Sequence, residues 1–166
     1  MELLDVYDKY GNCTGKVIER SNVKKSLLKD EHIALSVIFI ENSKGEFLIQ
    51  RTSSLKGGEY SSTGGHVISG DTPLDSIKRE VFEELGVDIS SDNIIKLGYL
   101  LYDMPLRYMF YLKKDIDLDS VILQKEEVEF VNYLSVEEIN DLIEKELFTK
   151  SHGIIFKKIL EYRNKK

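Results

Sequence analysis

The chain has 166 residues, 42% of them hydrophobic and 31% charged, with a formal net charge of −6. A chain of that length and balance can bury one ordinary core. The acidic balance speaks against the basic surface on which DNA or RNA binding rests, but it leaves room for a small phosphorylated ligand if a cation supplies the positive charge.

Cys13 is the only cysteine, so no intramolecular disulfide can form, and a reducing, cytoplasmic setting is expected. Residues 1–8 mix acidic and apolar side chains and do not read as a secretory leader. In chain order, residues 4–7 and 15–20 are expected as short strands about the turn Asp8-Lys9-Tyr10-Gly11-Asn12. They form an N-terminal hairpin, within residues 1–30, that extends a main sheet. Residues 33–40 are the longest apolar stretch and read as a buried strand. They are far short of the ~20 residues a bilayer needs. Asn42-Ser43-Lys44-Gly45 turns the chain into a partner strand at 46–51. The Gly, Ser and Thr of residues 52–65 predict a loop. A helix over 73–85 follows, then strands at 94–102 and 107–112 about Met104-Pro105, and another at 128–134. Ser135 and Glu138 form a capping box that opens a helix to about residue 147. A last helix covers 151–163. This order predicts one domain over 1–166, an α/β/α sandwich with a mixed sheet.

The segment from Gly64 to Val87 carries the chemistry. Thr72 is a good N-cap, Pro73 fits the first helical position, Asp75 suits the first turn and Gly86 the C-terminal cap. At 100° per residue, Leu74, Ile77, Val81 and Leu85 share one sector, and Glu80, Glu83 and Glu84 crowd the adjacent one. Like charges at these spacings destabilise a helix by roughly 0.2–0.5 kcal/mol per pair. A divalent cation removes that repulsion, and carboxylate oxygens are the ligands Mg²⁺ prefers. Arg79 stands beside the glutamates and can neutralise one of them. A solvated acidic helix face is the alternative for three glutamates taken alone.

These residues resemble the Nudix box, G-x5-E-x7-R-E-U-x-E-E-x-G-U, where U is a bulky aliphatic. Gly65, Arg79, Glu80, Val81, Glu83, Glu84, Gly86 and Val87 match, and Asp71 stands where the pattern has Glu. The resemblance implies a loop–helix–loop at residues 64–87 on an α/β/α sandwich, holding one to three Mg²⁺ or Mn²⁺ ions. It implies metal ligation by Glu80, Glu83 and Glu84 and by the Gly64 carbonyl, and an Asp71–Arg79 pair altered by the shorter acid. A glutamate near the metals is also implied in the segment Glu126-Glu127-Val128-Glu129, with Glu127 the candidate and, beside Glu80, the candidate base. Residues 1–8, 45–51 and 63–67 further resemble Nudix proteins related to isopentenyl-diphosphate isomerase. That likeness implies Arg51 and Lys56 near a substrate diphosphate. His66, one residue past the glycines, is a candidate to touch metal or phosphate, with a structural hydrogen bond as the alternative.

The expected function is hydrolysis of a diphosphate linkage in a small molecule such as a nucleoside diphosphate derivative, by a monomer or homodimer that binds no nucleic acid polymer and no membrane. Two alternatives stay open. One is the isomerase, which in that family uses a cysteine near the position of Gly64. The other is a non-catalytic nucleotide-binding module.

Overall fold

A computed structural model describes residues 1–165. In chain order the elements are β1 (Leu3–Tyr7), β2 (Cys13–Glu19), a single turn α1 (Val23–Ser26), β3 (Ala34–Glu41), β4 (Phe47–Thr52), β5 (Tyr60–Ser61), β6 (Thr63–His66), α2 (Pro73–Leu85), β7 (Ile95–Leu101), β8 (Leu106–Lys113), β9 (Val128–Leu134), α3 (Val136–Glu144) and α4 (Lys150–Asn164). The main sheet is mixed. Its strand order is β5-β4-β3-β8-β7, with β6 on β3 and β9 on β4. β3 and β8 run parallel, and the other pairs are antiparallel.

Alternation along β3 builds both faces of the core. Ala34, Ile38 and Ile40 pack with Ile77, Val81 and Leu85 of α2. Val37 and Phe39 pack on the other face with Ile139 of α3 and Ile155, Phe156 and Ile159 of α4. The result is the expected three-layer α/β/α sandwich. The second face is clamped by a buried polar group: the Tyr111 hydroxyl donates to Glu41, and Arg163 of α4 donates to the other oxygen of the same carboxylate at 2.8 Å. Glu41 is only 2% exposed. Arg163→Ala leaves that carboxylate short of a cation, and is expected to lower stability by about 3 kcal/mol. The test is urea unfolding, where an unchanged midpoint would contradict this role.

Several expectations need correction. The N-terminal hairpin does not extend the main sheet. β1 and β2 form their own two-stranded sheet, touching the rest through the bridges Leu4–Ile68 and Tyr7–His32 and a separate apolar cluster. The stretch read as a loop over 52–65 contains β5 and most of β6. β3 and β4 form a hairpin only at its base, pairing at Glu41 with Phe47. The helix expected to reach residue 147 stops at Glu144, and Glu146 takes a positive φ of 59°. Among the described residues no helix is long and apolar enough to cross a membrane.

Candidate active site

A cleft opens where the sheet splits. β4 parts from β3 after its one pair, and β6 takes its place beside β3 from Leu35 to Ile38. The resulting cleft holds about 600 Å³ and is walled by β4, β6, α2, the segment before β9 and the start of α4.

β6 is built on two consecutive glycines, and neighbours crowd both. A Cβ on Gly65 would fall 2.5 Å from Glu80 Oε1 and 2.7 Å from Oε2. A Cβ on Gly64 would fall 2.8 Å from the Ser36 carbonyl oxygen. At Gly64 the obstacle is backbone, so that position requires glycine; at Gly65 it is the end of the Glu80 side chain, which would have to swing away.

α2 brings in the carboxylates, and its start is set by local chemistry. The Thr72 side chain accepts from the Asp75 N–H, Asp75 returns the bond to the Thr72 N–H, and Pro73 fills the first position. Gly86 ends the helix with φ 70°. Two hydroxyls then pin the helix to the sheet: Ser36 donates to the Pro73 carbonyl at 2.7 Å, and Ser76 to the His66 carbonyl at 3.1 Å. From that position Glu80 and Glu84 turn toward the sheet while Glu83 stays half exposed. Glu84 is 7% exposed and accepts from Gln50 Nε2 at 2.9 Å, and Gln50 Oε1 accepts from Thr63 at 2.9 Å.

The electrostatics follow from this crowding. Burial pushes the Glu84 carboxyl up to about 8, opposed by the Gln50 bond and helped by the charges of Glu80 and Glu127. Burial also raises Glu80, against its bond to Glu84 and the charge of Arg79. Arg79 is the only cation touching the helix carboxylates among the described residues. It pairs with Asp71, approaches Glu80 at 3.5 Å and Glu83 at 3.8 Å, and donates to the His66 carbonyl at 3.3 Å. The Asp71 side chain, though one methylene shorter than the glutamate of the box, reaches it. Two neighbouring carboxyls that resist ionisation mark a place short of positive charge, and a set of carboxylate oxygens fits Mg²⁺ or Mn²⁺. No three His, Cys, Asp or Glu side chains among the described residues already stand as a metal-holding group. Glu83 leans on Arg79 instead.

The raised pKa of Glu84 has a sign for stability. The folded protein holds the Glu84 proton more tightly than the unfolded chain, so the contribution is fully present below about 4.5 and is lost as pH rises to about 8. The metal-free protein is therefore expected to lose several degrees of Tm across that window, and a divalent ion is expected to restore them at the upper end. Thermal melts in chelator and in Mg²⁺ check this. A flat profile in chelator would contradict it.

The cleft gathers Lys56, Gly64, Gly65, His66, Arg79, Glu80, Glu83, Glu84 and Glu127. Lys56 is tied to Glu127 at 3.3 Å. Arg51 does not line it. Alternation on β4 turns Gln50 inward, so Arg51 lies over the Tyr60 ring, donates to the Gly58 carbonyl and pairs with Glu129 at 3.3 Å. Asp71 and Gly86 serve the helix from outside the cleft. The sequence reading missed Gln50, Gln124, Arg20 and His152. Of these, only Gln50 carried a signal: it is polar on a strand whose alternation sends it to the buried α2 face. Burial, reinforced by Arg107, drives His152 down to about 3, and burial with Arg20 drives His66 down to about 4. Cys13, exposed at the start of β2, is not among the cleft residues.

Residues 30–157 match the NUDIX domain family. The chain is 33% identical over 162 residues to "Nudix hydrolase 3" of Arabidopsis thaliana, covering 87% of this chain and only 21% of that longer protein. It is 33% identical over 147 residues to an uncharacterized Nudix hydrolase of Listeria monocytogenes, covering 86% of this chain and 85% of the relative. A Corynebacterium diphtheriae protein named isopentenyl-diphosphate Delta-isomerase is 31% identical over 111 residues, covering 64% of this chain and 58% of the relative. In fold, a crystal structure from Deinococcus radiodurans matches with a TM-score of 0.77 at 21% identity, over 94% of this chain and 98% of that one.

Proposed function

The chain belongs to the Nudix hydrolase family, and from that premise we propose that it cleaves the phosphoanhydride linkage of a small diphosphate, such as a nucleoside diphosphate derivative, with Mg²⁺ or Mn²⁺. Glu80, Glu83 and Glu84, with the Gly64 carbonyl, are the residues that would hold one to three such ions. A divalent ion there supplies positive charge to the phosphate oxygens and lowers the pKa of water.

The remaining work belongs to the protein. Glu80 of α2 and Glu127 of the segment before β9 both line the cleft as the two candidate bases for the attacking water's proton. Lys56, released from Glu127 when substrate enters, contacts the diphosphate. Arg79, held by Asp71, keeps Glu80 and Glu83 in place from behind. Gln50 fixes the rotamer of Glu84. The deep cleft limits water around the reacting phosphorus, which strengthens each of these interactions.

The observation that supports this most is the Glu80–Glu84 pair, packed without countercharge sufficient to ionise both, against a glycine that leaves no room for a side chain. The isomerase reading needs a thiol beside the substrate, and the single cysteine lies elsewhere. The test is phosphate and pyrophosphate release from nucleoside diphosphates, their conjugates, nucleoside triphosphates, dinucleotides and isopentenyl diphosphate, with Mg²⁺, with Mn²⁺ and with chelator. Release that requires metal is expected. Release that persists in chelator, or conversion of isopentenyl diphosphate to its dimethylallyl isomer without any release, would contradict the proposal.

A further inference from the structure

The cleft is electrically divided by the sheet. Gly65 pairs with Ser36, so its side faces α2 and the carboxylates. Gly64 and His66 face the other way, toward α4. On that second face a row crosses three strands in register: His66 on β6, Leu35 on β3 and Arg107 on β8. His152 of α4 closes the row from above and lies 3.4 Å from where a Gly64 Cβ would be. Together with Arg20 these residues wall a cavity of about 230 Å³ that shares His66, His152 and both glycines with the main cleft.

No acidic side chain lines this cavity. Arg107 is half buried in its wall, and burial lowers its affinity for its proton. Its Nε is fully buried and has no hydrogen-bond partner among the described residues, and its guanidinium enters no ion pair there. The Tyr102 ring lies 5.6 Å from the guanidinium carbon and sets its plane without satisfying its donors, and the Asp103 charge acts on it from beyond ion-pair distance. Arg20 is anchored by Glu2 at 2.8 Å at the rim. The buried Nε lies out of a ligand's reach, but the two terminal nitrogens of Arg107 also have no hydrogen-bond partner among the described residues, and an anion entering the cavity can pair with them.

We propose that Arg107, with Arg20, His66 and His152, forms an anion subsite for a second phosphate of the substrate, one that is not the scissile diphosphate. The two terminal nitrogens of Arg107 take two oxygens of that phosphate, and the two imidazoles add one hydrogen bond each. The substrate class narrows to diphosphates that carry a further phosphate on their organic part. This narrowing rests on the hydrolase reading, but the subsite itself does not.

Inorganic phosphate is the probe, titrated into the whole chain in the presence of chelator and followed by calorimetry and by the histidine ring signals in NMR. Wild-type protein is expected to bind phosphate, with the His66 and His152 signals moving together. Arg107→Gln, checked for an unchanged melting profile, is expected to weaken binding at least ~10-fold, and Arg107→Lys, which keeps the charge but not the fork, by less. Glu144→Gln, an exposed residue at the end of α3 outside both cavities, is expected to bind as wild type does. Equal binding by wild type and Arg107→Gln, or saturation with no movement of either histidine, would overturn the subsite. Because no metal or turnover enters the measurement, its failure is distinct from a failure of the hydrolase reading, which the substrate panel reports.

Discussion

Replacing Glu84 by glutamine is expected to lower metal-dependent diphosphate hydrolysis at least ~100-fold while the fold stays intact. The amide keeps the shape of the side chain, and its oxygen still accepts from Gln50 Nε2. What it loses is a charge that the folded protein already resists forming, since burial and the neighbouring Glu80 hold the Glu84 carboxyl up to about 8. The same change therefore acts in opposite directions on two properties. Turnover falls, because the anionic oxygen for the cation is gone. Stability of the metal-free protein near pH 8 rises, because no buried carboxylate has to ionise. The loss of stability between about 4.5 and about 8 expected for the wild type should flatten in this variant. Near-normal turnover with metal present would defeat the assignment of Glu84.

Gly65→Ala is the second large effect. The added methyl group meets the Glu80 carboxylate oxygens at 2.5 and 2.7 Å, and the carboxyl carbon more closely still. β6 cannot move away, because it is registered on β3 through four consecutive pairs. Glu80 has to swing out instead, breaking its approach to Arg79 at 3.5 Å. The expected cost is about 2 kcal/mol of stability together with a rate loss of ~100-fold or more. The two effects separate in a double variant. Glu80→Ala combined with Gly65→Ala removes the collision, so stability should recover relative to Gly65→Ala alone while activity does not. If the double variant is as unstable as the sum of the single changes, the collision is not the reason Gly65 is required.

The contrast between what the sequence shows and what it hides has a physical basis. The boundaries of α2 were legible because a helix end is a local event. Thr72, Pro73, Asp75 and Gly86 act within a few residues of themselves, and the structure places each cap where the spacing predicts. β6 was not legible. Thr63, Gly64, Gly65 and His66 look like a loop, and they become a strand only because the ladder with Leu35 to Ile38 holds them extended. Arg51 illustrates a second kind of failure. Its placement came from a resemblance, whereas the alternation of β4, with Leu48 facing α2 and Ile49 facing α4, gives the inward place to Gln50. Arg107 and His152 carried no spacing signal at all. They stand on different elements, and only the packing of α4 across β8 and β6 brings them to one cavity.

The proposed hydrolysis requires that the carboxylates of α2 beside Gly65 bind a divalent cation. Manganese binding, followed by the paramagnetic resonance of free Mn²⁺ with no substrate present, tests it most directly. Wild-type protein is expected to remove Mn²⁺ from solution, and the Glu84→Gln variant to do so at least ~10-fold more weakly. Equal uptake by the two proteins, or none by the wild type, would contradict it.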